Sequence, residues 1–174
     1  VSRGLGDVYK RQDEAGAAVK KGEIGIIELL GDNVFKGYWE MPEKTAESFR
    51  DDGSFITGDM AREDEDGYIT IVGRDKDLII SGGLNIYPKE IETLIDAQDG
   101  VTESAVIGVP HPDFGEGVVA ILVADEDVTA EAVMAGISDK LAKFKRPKQI
   151  LFAASLPRNT MGKVQKAVMR TQHR

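Results

Sequence analysis

The chain has 174 residues, 41% of them apolar, which is enough for one ordinary domain or two small ones, and its net charge of −8 predicts no nucleic-acid partner. The absence of cysteine excludes disulfides and thiolate metal sites, and the two histidines, His111 and His173, are too few for a zinc cluster, so no metal site is expected. The sequence has no apolar run long enough for a membrane span and no apolar signal-peptide core, which indicates a cytoplasmic protein.

The first half of the chain predicts a small β-rich unit. Residues 1–12 show neither helical nor strand periodicity, and we expect them to be foreign or unstructured. The predicted elements are a strand at Ile24–Leu30, a helix from Pro42 through Phe49, a strand leading into Thr57-Gly58-Asp59, a hairpin turn at Glu63–Gly67 and a strand at Tyr68–Val72. The β-rich unit is therefore placed at residues 13–75, ending in the polar segment Gly73–Asp77.

The second half, residues 76–174, predicts a compact α+β domain. Its predicted elements are a strand at Leu78–Ile80, a turn at Ser81-Gly82-Gly83, a helix from Pro88, strands at Ser104–Val109 and Val118–Val123, a helix over 129–142, a strand at Gln149–Ala153 and a terminal helix from Val164. Val133, Ile137 and Leu141 fall at i, i+4 and i+8, so we expect this helical face to cover a sheet.

Four short motifs occur in one order along the chain. They are Gly37-Tyr38-Trp39 with Pro42-Glu43-Lys44-Thr45, Thr57-Gly58-Asp59, Gly73–Asp77 with Ser81–Pro88, and Asn159-Thr160-Met161-Gly162-Lys163. Each is weak alone, but the ordered set resembles the C-terminal third of the adenylate-forming enzymes, which include acyl-CoA synthetases, luciferases and peptide-synthetase adenylation domains. The resemblance implies that residues 13–75 end a large N-terminal domain and that residues 76–174 are a C-terminal lid domain.

The resemblance also implies a two-step ligase reaction. A carboxylate attacks the α-phosphate of ATP to give an acyl-adenylate and pyrophosphate, and the thiol of coenzyme A then displaces AMP. The implied small-molecule partners are thus a carboxylate, ATP and coenzyme A. The family's phosphate-binding loop, its adenine and Mg²⁺ contacts and its acyl pocket all belong to the upstream part of the N-terminal domain, which is not in this sequence. The chain is therefore expected to be a fragment that is inactive alone.

The resemblance gives Asp59 and Arg74 a role in nucleotide binding. Two carboxylate oxygens suit the two hydroxyls of a ribose, and a guanidinium fork can bind the same sugar and a nearby phosphate. The structural alternatives are a turn aspartate that bonds its own backbone and a surface ion pair of Arg74 with Asp75 or Asp77.

Lys163 matches the catalytic lysine of the family. Negative charge gathers between the carboxylate and the α-phosphate in the first reaction, and a cation held there stabilises the transition state. The turn-forming residues of Pro157–Gly162 favour an exposed loop that presents the side chain. The alternative is a solvated loop lysine.

Other positions matching family motifs concern domain rotation and coenzyme A. Lys76 resembles the family hinge residue, with an ordinary linker lysine as the alternative. Ser81, Gly82 and Gly83 would face the coenzyme A tunnel, although a plain tight turn explains the glycines equally well. For the basic group Lys143, Lys145, Arg146 and Lys148 a solvated face is favoured over binding of coenzyme A phosphates. His111 is placed in a loop without chemistry.

The substrate and the enzyme class leave alternatives open. Segments Ser104–Gly117 and Leu156–Lys166 resemble malonyl-CoA synthetases, which makes malonate a candidate carboxylate. A peptide-synthetase adenylation domain is the rival enzyme. Such a domain is normally followed by a carrier domain, whereas only the short segment Val164–Arg174 follows Lys163 here. A non-catalytic nucleotide- or partner-binding module with the lid fold is the rival from another class.

Overall fold

The computed structural model describes residues 9–13 and 15–173, and the chain divides into two compact units, Val1–Lys76 and Asp77–Arg174. The architecture is α+β, as predicted. The division lies one residue beyond the boundary predicted between residues 75 and 76. In the part of the chain that the structure describes, no helix is long and apolar enough to cross a membrane.

The first unit is a four-stranded antiparallel sheet in the order β1-β2-β3-β4. Its elements are β1 (Tyr9–Gln12), β2 (Ile24–Leu29), helix α1 (Pro42–Ser48), β3 (Phe55–Glu63) and β4 (Ile69–Arg74). Proline begins α1 because it has no N–H to satisfy in the first helical turn. An aromatic cluster of Phe35, Tyr38, Phe49 and Phe55, with ring centroids 5.0 to 5.6 Å apart, packs beside α1 and β3.

Strand β1 corrects the expectation that residues 1–12 stand outside the fold. Tyr9–Gln12 pair with β2, whereas residues 1–8 lie outside the described residues. The buried residue of β1 is Arg11, only 7% exposed, and its Nη2 lies 2.8 Å from the Glu63 carboxylate. A strand whose inward position is charged carries no apolar alternation, so the usual pattern of a strand is absent from its sequence.

The second unit contains a five-stranded sheet in the order β6-β5-β8-β7, with β9 parallel to β8. Its elements are β5 (Ile79–Ser81), β6 (Leu84–Ile86), α2 (Pro88–Asp96), β7 (Val101–His111), β8 (Gly115–Ala124), α3 (Ala130–Ser138), β9 (Gln149–Phe152) and α4 (Lys166–Gln172). Strands β7 and β8 form a long hairpin, and β8 is bordered by other strands on both sides.

Helices cover both faces of this sheet. Alternate β8 residues Val118, Ala120 and Leu122 pack in one core with α2 and α3, while Val119 and Ile121 pack in another core with Leu156 and Met169 of α4. Val133 and Ile137 of α3 are buried in the first of these cores, as predicted. Leu141 is buried there too, but it lies beyond the end of α3 at Ser138, so the helix is shorter than the predicted 129–142. Successive side chains of β8 point to opposite faces of the sheet and so enter different cores. Because both faces are buried, the sequence of β8 is an uninterrupted apolar run.

The placement of His111 in a loop is wrong. His111 is the last residue of β7 and pairs with Gly115 across the turn into β8. The preceding Pro110 lies near the end of β7, which borders the sheet, and an edge strand tolerates a residue without an N–H. Two prolines around a histidine therefore mark the end of an edge strand here.

Candidate functional site

Asp59 and Arg74 lie opposite each other on β3 and β4. Their Cα atoms are paired in the strand register, and Arg74 Nε lies 3.0 Å from Asp59 Oδ1. Arg74 Nη2 also donates to the Thr57 carbonyl at 2.9 Å. The structure therefore joins the two predicted nucleotide-binding residues, and Arg74 pairs with Asp59 where the structural alternative placed Asp75 or Asp77.

The Thr57-Gly58-Asp59 segment is held by local hydrogen bonds. The Thr57 hydroxyl donates to the Ile27 carbonyl of β2 at 2.8 Å and accepts from the Asp59 N–H at 3.0 Å. Gly58 has a φ of 71°, which a residue with a side chain rarely adopts. The strand thus turns locally at Gly58 and presents Asp59 beside Arg74.

The Asp59–Arg74 pair keeps binding capacity. The side chains are 35% and 46% exposed, so the ion pair contributes about 0 to 1 kcal/mol to folding. Arg74 uses only part of its five-donor fork, and Asp59 Oδ2 makes no hydrogen bond with the described residues. A ligand with hydroxyl or phosphate groups can therefore bind both side chains without a large loss of stability.

A cleft of about 330 Å³ opens next to Arg74 within the first unit. Lys44, Arg74 and Lys76 contribute cations to its wall, and Glu47 and Asp75 contribute anions. Tyr38, Ser48, Phe55, Ile56, Thr57 and Gly58 complete the lining. Tyr38 and Lys44 are motif positions in the sequence, but nothing in the sequence alone shows that the α1 segment lies beside Arg74.

Lys76 and the Ser81-Gly82-Gly83 segment lie on opposite sides of the division between the units. Lys76 is exposed, within a single 3₁₀ turn over Asp75–Asp77. Gly82 and Gly83 have φ values of 58° and 77° and form the two-residue turn between β5 and β6, where positive φ is required. The tight-turn alternative therefore accounts for both glycines, and their coenzyme A role remains a prediction.

Lys163 is exposed in a hairpin-like loop, residues 157–165, here called the Lys163 loop. The Asn159 side-chain oxygen accepts from the Met161 and Lys163 N–H groups at 3.0 and 2.9 Å. Gly162 has a φ of 76° and its N–H donates to the Asn159 carbonyl. Within the described residues the Lys163 ammonium has no hydrogen bond or ion pair, so the loop presents a free cation to solvent.

Three of the four residues in the basic group have local partners. Lys145 lies 2.7 Å from the Glu90 carboxylate, Arg146 donates to the Ser138 and Leu141 carbonyls, and Lys148 lies 5.1 Å from the Phe114 ring centroid. These contacts agree with a structural use of the group.

Comparison with known proteins identifies the second unit. The family model described as the AMP-binding enzyme C-terminal domain matches residues 90–163 and ends at Lys163. These residues are similar to that family. The resemblance of the chain to the C-terminal portion of acyl-CoA synthetases is thereby confirmed.

The curated relatives are acyl-CoA ligases. The chain is 44% identical over 168 residues to a long-chain fatty-acid–CoA ligase of Mycobacterium tuberculosis, covering 96% of this chain and 33% of that protein. A feruloyl-CoA synthase from Amycolatopsis is 45% identical over 158 residues, covering 90% of this chain and 32% of that protein. The chain thus spans about a third of the length of these relatives.

Solved structures extend the similarity to both units of the chain. ATP-bound MatB from Rhodopseudomonas palustris is 58% identical with a TM-score of 0.86, over 95% of this chain and 33% of that one. Apo MatB, with the same identity and 34% of its chain covered, has a TM-score of 0.71, so that relative's backbone differs between its two structures.

Proposed function

We propose that this chain is part of a longer AMP-forming carboxylate–CoA ligase and supplies its catalytic lysine. The observation that carries the proposal is the free Lys163 ammonium, presented by a hydrogen-bonded loop at the end of the segment that matches the AMP-binding C-terminal domain. The presence of Asp59, Arg74 and Lys163 together argues against a non-catalytic module, which has no physical need for this set of charges.

The proposed first reaction uses Lys163 and the Asp59–Arg74 pair. A carboxylate oxygen forms a bond to the α-phosphorus of ATP, and the bond from that phosphorus to the bridging oxygen breaks, releasing pyrophosphate. Lys163 stabilises the negative charge that gathers on the attacking and α-phosphate oxygens. Asp59 accepts from the ribose hydroxyls while Arg74 holds the Asp59 carboxylate and directs its free donors at the nucleotide.

In the proposed second reaction the thiol of coenzyme A attacks the acyl carbon and AMP leaves. We propose that the C-terminal domain rotates between the two reactions and that Lys76, the last residue of the first unit, is the hinge. The difference between ATP-bound and apo MatB supports a change of shape in this part of a relative. Ser81, Gly82 and Gly83 are the proposed coenzyme A-facing residues.

No step is assigned to Mg²⁺. Among residues 9–13 and 15–173 no group of three or more His, Asp or Glu side chains could hold a metal ion. The family resemblance implies that the ion accompanying ATP is bound mainly by the N-terminal region outside this chain.

Malonate is the carboxylate that we propose to test first. The similarity to MatB, a malonyl-CoA synthetase, is at 58% identity, against 45% for the feruloyl-CoA synthase. The experiment measures pyrophosphate release and acyl-CoA formation by the full-length protein with short mono- and dicarboxylic acids. Carboxylate-dependent formation of both products supports the proposal, whereas ATP binding without any turnover favours the non-catalytic module.

A further inference from the structure

Arg158 connects the Lys163 loop to the sheet of the second unit. Its Nη1 donates to the Gly162 carbonyl at 2.6 Å, and its Nη2 donates to the carboxylate of Glu103 on β7. A planar guanidinium fixes the directions of its donors, so one side chain satisfies both acceptors at once. The loop carbonyl is thereby tied to a residue of regular strand structure.

The Gly162 carbonyl belongs to the same peptide unit as the Lys163 N–H. Arg158 binds the oxygen of this peptide unit, and the Asn159 side chain binds its N–H at 2.9 Å. Because a peptide unit is planar, fixing both polar atoms fixes the plane from which the Lys163 Cα projects. Without Arg158, this peptide unit keeps only the hydrogen bond of its N–H. The adjoining Gly162 N–H and Lys163 carbonyl stay bonded to the Asn159 backbone, so the change is confined to the tilt of this one unit.

We propose that Arg158, held in turn by Glu103, is a positioning residue that sets the direction of the Lys163 side chain during adenylate formation. The proposal rests on the proposed function of Lys163. The Arg158 and Glu103 side chains are 45% and 27% exposed, so solvent screens their attraction and the pair contributes little to global stability. Its effect is local, on one peptide unit.

A second ion pair lies at the other end of the Lys163 loop. We assign it an anchoring role in the fold, which is distinct from the positioning role of Arg158. Lys166, the first residue of α4, lies 2.6 Å from Glu92 of α2, and these side chains are only 15% and 8% exposed. Glu92 also accepts from the Val106 N–H of β7. This pair fixes the start of α4, and its loss would affect the unit as a whole.

The first test uses hydrogen exchange in the full-length protein and does not depend on enzyme activity. In Arg158→Ala we expect the amides of Met161–Lys163 to exchange about 10-fold faster, the ratio for loss of one charge-assisted hydrogen bond. Glu103→Gln removes the charge but keeps an acceptor oxygen, so it should raise the exchange rates in the same direction by a smaller factor. Lys10→Ala, which removes an exposed ion pair in the other unit, is the control and should leave these amides unchanged. Unchanged exchange in Arg158→Ala would overturn the proposal.

The second test measures each half-reaction in the full-length enzyme. In Arg158→Ala we expect kcat for adenylation to fall about 100-fold, as for a displaced catalytic group, with KM for ATP and thioester formation from supplied acyl-adenylate unchanged. Glu103→Gln combined with Arg158→Ala should be no slower than Arg158→Ala alone, because Glu103 acts only through Arg158. Equal loss of both half-reactions, or additive losses, would overturn the positioning role. Normal adenylation by Lys163→Ala would instead count against the proposed function, whatever the exchange result.

Discussion

The exposed ion pair of Asp59 and Arg74 should matter more for ATP binding than for folding. Replacing Arg74 by alanine should change the free energy of unfolding of the first unit by no more than about 1 kcal/mol, because solvent screens the pair. The same change should weaken ATP binding by the full-length enzyme about 10-fold, the loss expected for one hydrogen bond to a charged group. Chemical denaturation and ATP titration give the two quantities.

Arg62 offers a matched control, since it is exposed on the same strand β3 and no site role is assigned to it. Arg62→Ala should leave ATP affinity unchanged. Equal affinity for ATP in Arg74→Ala and wild type would remove Arg74 from the nucleotide site.

Asp52 predicts a specific acid response. A hydrogen bond from Lys10, followed by hydrogen bonds from Ser54, holds the pKa of Asp52 well below its usual value of 3.8. A lowered folded-state pKa stabilises the fold above the unfolded value and loses that contribution as pH falls toward the folded value. Because solvent screens this exposed pair, Asp52→Asn should lower Tm only slightly at pH 6, and its difference from wild type should shrink as pH falls from about 4 toward 2.

The neighbouring Asp51 is also exposed and is the control for the Asp52 substitution. Asp51→Asn should show no such pH-dependent difference. A Tm difference between Asp52→Asn and wild type that stays constant from pH 6 to pH 2 would contradict the assignment.

At the scale of elements, the sequence predicts those that carry an apolar pattern or a defined terminus. Pro42 and Pro88 mark the starts of α1 and α2, and the apolar run of β8 marks a strand buried on both faces. It does not predict β1, whose buried residue is the charged Arg11, or β6, in which Leu84 and Asn85 are exposed and only Ile86 is buried. Patterns of apolar residues cannot reveal a strand whose buried position is charged or one that buries a single residue.

The residues of the candidate site likewise fall into those that the sequence predicts and those that it does not. Family motifs identify Asp59, Arg74 and Lys163, and the strand register explains why Asp59 meets Arg74. Arg158 and Glu103 are not predicted, because 55 residues separate them along the chain and their contact depends on how the Lys163 loop lies against β7. Local sequence patterns report periodicity and turns, whereas such a contact is a product of tertiary packing.

Helix α3 provides a test of the core in the second unit. Ile137 is fully buried against the sheet, and Ile137→Ala should lower the free energy of unfolding of that unit by about 2 to 5 kcal/mol through lost burial and a cavity. Glu131→Ala, at an exposed position of α3, should change it far less. Urea denaturation followed by circular dichroism measures both, and equal effects would contradict the placement of α3.

At the scale of the whole molecule, the chain divides into two compact units at Lys76, the residue that we propose as the hinge of the ligase. Lys76→Pro restricts the backbone at the proposed hinge. It should therefore reduce one half-reaction of the full-length enzyme about 100-fold through misplaced groups and leave the other near the wild-type rate. Separate assays of adenylate formation and thioester formation test this, and an equal loss in both would argue against a hinge at Lys76.

Lys163 carries the central claim, and the most direct measurement compares Lys163→Ala with wild type in the full-length enzyme, assaying pyrophosphate release and thioester formation from supplied acyl-adenylate. We expect adenylation to fall by about 10²- to 10³-fold, the loss typical of removing one group that stabilises transition-state charge, while thioester formation stays near the wild-type rate. Unchanged pyrophosphate release, or an equal fall in both reactions, would contradict the assignment of Lys163 as the catalytic lysine.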